Sequence, residues 1–304
     1  MSTTGPLERP AILLILTTLF WGGNAVVGKY ALNFMSGIEL SFWRWVLAFV
    51  ILLPFAWRAC LRDLAYYRRH IALLTLLALL SVSLYNSFQY LALQWTSAIN
   101  VGVVSATMPL SVFLLTWLFG QERANGLQKL GMLLALIGVG VVVSRGELQV
   151  LFGLQLNPGD LLMLTAVFGF ALYSVLVKKL PTELDKLGLL LFLIFLGTIG
   201  ILPFYLWDTS GRETLSLNID TLLILGYVGI FPSILSYYFW NKAVLIGGAN
   251  QAGLYCNLIS VFASLLAVLF LGEAFRPFHV IGMVTIFLGI LLATYLSKWY
   301  SQSV

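Results

Sequence analysis

Residues 89–122 read QYLALQWTSAINVGVVSATMPLSVFLLTWLFGQE, and residues 242–275 read KAVLIGGANQAGLYCNLISVFASLLAVLFLGEAF. Sliding the chain by 151 residues lays Phe88, Ala92, Ala98, Gly102, Glu122, Gly131, Met132 and Gly138 on Phe239, Ala243, Ala249, Gly253, Glu273, Gly282, Met283 and Gly289, with four leucine or phenylalanine coincidences between. Leucine matches are cheap in so apolar a chain. The glutamate pair and the Gly-Met…Gly spacing are not. Nearer the start a shift of 149 pairs Val26 with Val175, Lys29 with Lys178, Pro54 with Pro203 and Phe55 with Phe204. Repetition is read before local structure, because each copy is one unit of the fold.

The solvent follows from composition. Of 304 residues, 60% are apolar and 10% are charged, where a soluble domain carries about 25% charged. A soluble fold of this size cannot hide that much apolar surface. Ten runs are long enough for a membrane helix of about 20 residues: 11–32, 38–57, 71–91, 97–118, 127–145, 159–179, 187–206, 221–241, 249–271 and 279–298. Pro10, Pro158 and Pro277 stand just before three of them, where a missing N–H costs nothing. The opening run follows Glu8 and is too long for a signal core, so it reads as a mature span. Cys60 and Cys256 lie far apart without metal spacing and read as inert.

Orientation comes from the basic residues. With the N-terminus inside, twelve Lys and Arg fall on inner segments and four (Lys29, Arg145, Arg212, Arg276) on outer ends. That bias puts both termini in the cytoplasm. It also explains the net charge of +5 without nucleic acid. Each copy of the repeat holds five spans. Five is odd, so the second copy crosses the membrane the opposite way. The expected fold is an all-α integral membrane protein of ten transmembrane helices in two inverted five-helix repeats, residues 1–148 and 149–304. Such repeats build alternating access, with the solute near the midplane between them.

With FWGGNAVVGKYAL (20–32), FWRWVLAFVILLPF (42–55), the two long stretches above, LGMLLALIGVGVVV (130–143) and IGMVTIFLGILL (281–292), the chain resembles the EamA-type proteins of the drug/metabolite transporter superfamily over nearly its whole length. No one motif is specific; the ordered set is. The resemblance implies export of small metabolites across a bacterial inner membrane. Amino acids, aromatic or otherwise apolar, lead; lipophilic cationic drugs are the alternative, and a non-transporting membrane subunit is a third reading.

Candidate site residues are the polar and aromatic groups inside spans. Asn24 follows Gly22 and Gly23; its amide cannot face lipid cheaply, so it meets another helix or a wet cavity. Tyr85 with Gln89, and Asn86 with Tyr90, each pair four apart, form one polar and aromatic arc in span three. The shift lays that arc on Tyr237 and Trp240 in span eight. Tyr173 is the mate of Asn24, and Asn257 lies in span nine. Asn24, Tyr85, Asn86, Gln89, Tyr173, Tyr237, Trp240 and Asn257 are expected to line a central cavity, against the bland readings of helix–helix bonds or an interfacial aromatic belt. Arg44 is the charge well inside a span, a functional signal by default. It reads as an ion pair or gate, with Glu39 or Glu273 as partner, or as an anchor for a substrate carboxylate. Glu122 and Glu273 read as caps or latches on opposite faces, and mid-span Pro109 and Pro232 as hinges.

Glu39, Asp160 and Asp220 fall at span edges, and His70 and His279 at interfaces. That argues against proton exchange through a buried carboxylate. No cofactor, metal set or nucleotide loop is expected, and no converging acid, base and nucleophile suggests an enzyme. The expected partners are a small-molecule substrate and the lipid bilayer, with no nucleic acid, in a monomer or homodimer.

Overall fold

The computed structural model describes residues 10–119, 126–147, 157–211, 215, 218–247, 252 and 255–292, and no strand occurs among them. The long helices are α1 (Pro10–Ala31), α2 (Gly37–Arg62), α3 (Ile71–Trp95), α4 (Ala98–Leu118), α5 (Gly126–Val143), α6 (Pro158–Val177), α7 (Lys186–Asp208), α8 (Ile219–Ile246), α9 (Asn257–Leu271) and α10 (Pro277–Leu291). A short helix, Leu64–Arg69, joins α2 to α3.

Seven of these, α1 to α4 and α6 to α8, are long and apolar enough to cross a membrane. Ten were expected. The other three contain shorter apolar stretches, Lys129–Val142, Asn257–Leu271 and Pro277–Gly289. Fifteen residues of helix reach about 22 Å, short of a 30 Å hydrocarbon core; residues outside the described set adjoin all three.

Polar side chains start the helices by accepting orphan N–H groups. Ser36 accepts from Glu39, Ser97 from Asn100, Asn157 from Gly159, and Asp185 from Leu187 and Gly188. Asn218 and Thr221 form a capping box. At the far end of α9, Gly272 takes the left-handed conformation (φ 65°) that only glycine adopts without strain. Pro54 and Pro203 do not stop their helices; α2 and α7 run on to Arg62 and Asp208.

Helix pairing is regular. α1 packs on α8 and α9, α6 packs on α3 and α4, and α2 pairs with α7, α4 with α9, and α5 with α10. The α5–α10 contact runs antiparallel: a Cβ on Gly289 would stand 2.5 Å from the Gly131 oxygen, and one on Gly138 would stand 2.8 Å from the Gly282 oxygen. In α2–α7, Phe42 stacks on Tyr205 at 4.1 Å and Phe49 lies 6.0 Å from Phe195. A Cβ on Gly188, one helix end further, would stand 2.8 Å from the Cys60 nitrogen. Glycine at these crossings lets backbones touch, which in lipid is the main source of attraction.

Two six-residue π turns occur within the described helices, Leu79–Leu84 in α3 and Ile230–Leu235 in α8. The second contains Pro232, whose missing N–H fits a loosened turn. Pro109 is second in the segment Met108–Leu118, after a turn at Ala106–Thr107. Both prolines therefore mark breaks in helical regularity.

At the α2–α7 junction Arg62 hydrogen-bonds Asp63 at 3.0 Å, and Asp63 accepts the Asp185 N–H at 3.0 Å. The Arg62 bond holds the Asp63 carboxyl below the usual carboxylate range. Its contribution to stability is present above that range and fades as pH falls through the lowered value.

The glycine packing is testable. Gly289→Leu forces α5 and α10 apart and should destabilise by about 1–3 kcal/mol. Gly140→Ala meets nothing within 4 Å and should be neutral or gain about 0.5–1 kcal/mol, since glycine is costly inside a helix. Thermal unfolding of the two purified variants in detergent reads the contrast.

Candidate functional site

Among the described residues one guanidinium is buried. Arg44 leaves α2 fully buried (0% exposed). Its Nε donates to Ser233 of α8 at 2.8 Å; its Nη1 donates to Asn86 at 2.6 Å, to the Tyr90 hydroxyl at 2.6 Å and to the Asn24 carbonyl at 3.3 Å. Nη2 is buried with no hydrogen-bond partner. The Trp45 ring lies 4.9 Å and the Tyr90 ring 5.6 Å from the guanidinium carbon, so aromatic faces share in holding the charge.

A second shell of bonds fixes those partners. Tyr90 donates to Asn24 at 2.7 Å, and Asn24 donates to Gln89 at 2.9 Å. Asn86 donates to the Tyr237 hydroxyl and to the Ser81 carbonyl, each at 3.2 Å. Tyr237 also donates to Ser81. The π turns make this possible by freeing carbonyls: Ser81 accepts two side chains, and Pro232, at the corresponding place in α8, accepts Trp21 Nε1 at 3.2 Å. Mid-helix carbonyls are otherwise engaged by the helix itself.

An aromatic cluster adjoins the polar one through Tyr237. Phe170 of α6 is its centre, with Tyr85 at 4.9 Å, Tyr173 at 5.2 Å, Trp21 at 5.3 Å, Trp240 at 5.7 Å and Tyr237 at 5.8 Å. Tyr173 donates to Asn241 at 2.7 Å.

Of the expected cavity residues, Asn24, Asn86, Gln89 and Tyr237 thus gather on Arg44, and Tyr85, Tyr173 and Trp240 on Phe170. All seven are buried. Asn257 stands at the start of α9 with its side-chain oxygen buried and unpartnered. Glu122 lies outside the described residues. Glu273 is not beside Arg44: its carboxylate accepts the N–H groups of Ala98 (2.8 Å) and Ile99 (3.0 Å) at the start of α4. Ser233, Ser81 and Phe170 were not singled out. Tyr90 stood in the sequence arc with Asn86. Ser233 and Phe170 carried no signal of their own, since a serine or phenylalanine in an apolar run is ordinary.

The turn between α3 and α4 is tied from several sides. Lys29 donates to the carbonyls of Leu93 and Thr96, Asn157 to that of Trp95, and Glu273 accepts as above. Asp160 accepts from Thr96 at 2.6 Å and from Asn100 at 3.4 Å. The Arg276 N–H donates to His279 Nδ1 at 3.0 Å, leaving Nε2–H to bond Asn100 Oδ1 at 2.9 Å. Asp160 and His279 stand in the first turns of α6 and α10, yet they are only 0% and 4% exposed. Their bonds to Thr96 and Asn100 put the α3–α4 turn against them, so burial at a helix start comes from neighbours and not from depth. A cavity of about 460 Å³ opens beside this turn, lined by Lys29, Arg145, Arg276 and Glu273 among others.

Known proteins with the same pattern are transporters. The EamA-like transporter family matches residues 9–144 and again residues 157–295. An uncharacterized transporter of Archaeoglobus fulgidus is 32% identical over 94% of this chain and 98% of its own length. The uncharacterized transporter YyaM of Bacillus subtilis is 24% identical over 93% and 92%. One crystal structure superposes with a TM-score of 0.64 at 17% identity, covering 96% of this chain and 98% of that one, a likeness of fold alone. With a family match over both halves and a relative of that identity along almost the whole length, this chain is a multi-pass membrane protein of the EamA-like transporter family.

Proposed function

We propose that the protein exports small metabolites, foremost amino acids with aromatic or other apolar side chains, by rocking two inverted five-helix repeats about the Arg44 cluster. The reading assigns residues 1–148 to one repeat and 149–304 to the other, ten spans in all, in the bacterial inner membrane with both termini cytoplasmic. The observation that carries it is the cluster itself: α1, α2 and α3 of one half and α8 of the other supply Asn24, Arg44, Asn86, Tyr90, Ser233 and Tyr237 to one bonded group.

Inversion is supported by residues that meet their own mates. Under a twofold axis in the membrane plane, equivalent residues touch only on the axis. Asn86 bonds Tyr237, its mate at 151 residues, and Trp21 packs at 5.3 Å on Phe170, its mate at 149. Gly131 meets the mate of Gly138, and Gly138 the mate of Gly131, as an antiparallel pair requires. The two π turns are also 151 residues apart. An axis in the membrane plane lies at its middle, so the cluster sits at mid-depth, where repeat-built transporters hold their solutes. The tied α3–α4 turn closes one end of the bundle in this conformation. The family match, falling once on each half, supports the same division.

Three measurements test this reading. In proteoliposomes, labelled apolar amino acids should show counterflow; exchange of dye cations with none of amino acids would replace the substrate class with lipophilic cations. Asn24→Ala removes a bond to Arg44 and should cost transport about 1.5–3 kcal/mol, roughly tenfold or more, as for hydrogen bonds to a charge, while Gln89→Ala removes a neutral bond to Asn24 and should cost about 0.5–1.5 kcal/mol, with yield unchanged. In a Cys60→Ser, Cys256→Ser background, Arg68→Cys should label from inside and Thr209→Cys from outside, because α7 is the inverted mate of α2.

A further inference from the structure

We propose that the transported solute is recognised through a carboxylate, that Arg44 binds it, and that an ammonium on the solute is not required. The inference rests on the transport reading above and names the chemistry of the same site.

Arg44 stands seven residues past Gly37, about 10 Å along α2. Burying a charge costs several kcal/mol unless something compensates it. Its four hydrogen-bond acceptors, on Ser233, Asn24, Asn86 and Tyr90, are neutral oxygens. They satisfy donors without cancelling charge. Nη2 satisfies none, and a buried donor left open is expensive. A membrane protein that keeps such a group has a partner for it at some stage of its cycle.

The geometry says which edge the partner uses. Guanidinium binds carboxylate through two parallel N–H groups. Nη1 is committed to three oxygens. The Nε/Nη2 edge is half open, with Ser233 on Nε alone. Ser233 has another bond, donating to the Val228 carbonyl at 2.6 Å, so it can give up its place on Nε without being stranded. A carboxylate then takes both positions, trading one neutral bond for a charge-assisted pair. Ser233 belongs to α8, so the carboxylate displaces a tie between the two halves as it binds.

The cluster offers an ammonium little. Asn24 Oδ1 already accepts from Tyr90 and Arg44, Asn86 Oδ1 from Arg44, and Gln89 Oε1 from Asn24, and Arg44 repels it. A monocarboxylate neutralises Arg44 one for one. The Phe170 cluster beside Tyr237 suits an apolar tail. The cavity beside the α3–α4 turn repeats the sign: Lys29, Arg145 and Arg276 line it against Glu273, which two backbone amides already engage, with buried Asp160 behind Thr96. A cationic mouth concentrates anions.

The test uses the full chain in proteoliposomes and matched solutes differing only in charged groups: phenylalanine, 3-phenylpropionate and phenethylamine, with leucine, 4-methylpentanoate and isopentylamine as the aliphatic set. Carboxylates with or without the amino group should exchange; the amines should not. Arg44→Lys, which keeps the charge and loses the fork, should weaken apparent carboxylate affinity tenfold or more. Ser233→Ala, which clears Nε and needs no refolding of a charge, should strengthen it several-fold. Exchange of the amines, or equal carboxylate affinity in wild type, Arg44→Lys and Ser233→Ala, would overturn the anchor and leave the transport reading standing. No exchange of any of the six solutes in sealed vesicles would overturn both.

Discussion

A guanidinium hydrogen-bonded only to neutral oxygens, deep in an apolar bundle, sets the terms for everything around it. Hydrocarbon offers no hydrogen-bond partners, so a charge buried in such a bundle draws its acceptors from the protein. Asn24 from α1, Asn86 and Tyr90 from α3 and Ser233 from α8 supply them, and each then needs its own orientation fixed. Gln89, Ser81 and Tyr237 do that. The polar core is therefore a chain of consequences from one charge, and it joins the two halves.

Bringing four backbones close enough for these short side chains requires two departures from regular helix. Small residues at crossings are the first. Gly22 faces the Phe262–Ala263 backbone, and Gly102 faces Ala263, so α1 and α4 approach α9 more closely than leucines would allow. The π turns are the second. Each loosens the ladder for one turn and releases carbonyls that side chains from other helices then use. Both devices weaken a helix in isolation. They are retained here because contacts across the bundle use what the helix gives up.

Much of the architecture was legible from sequence. The runs at 11–32, 38–57, 71–91 and 159–179 lie within a few residues of α1, α2, α3 and α6 at their starts, because continuous apolarity over about 20 residues has little other use. The arc of Tyr85, Asn86 and Gln89 was visible because an amide in an apolar helix has to be satisfied somewhere. What those groups would meet was less legible. Asn86 meets Arg44 and Tyr237, and Gln89 meets Asn24, partners on other helices, since spacing along a helix says which face a residue is on but not how near the opposite face stands.

Sequence by itself determined that the chain is a membrane protein, where most of its long apolar helices lie, and that an arginine stands inside one of them. These follow from composition and one-dimensional periodicity. Only the tertiary structure decided which oxygens Arg44 takes, that Glu273 caps α4 and not Arg44, that Asp160 and His279 are enclosed, and that Phe170 centres the aromatic cluster. The hydrogen bonds among these join residues from 20 to 189 positions apart, and such meetings are set by how helices cross, which no local pattern records.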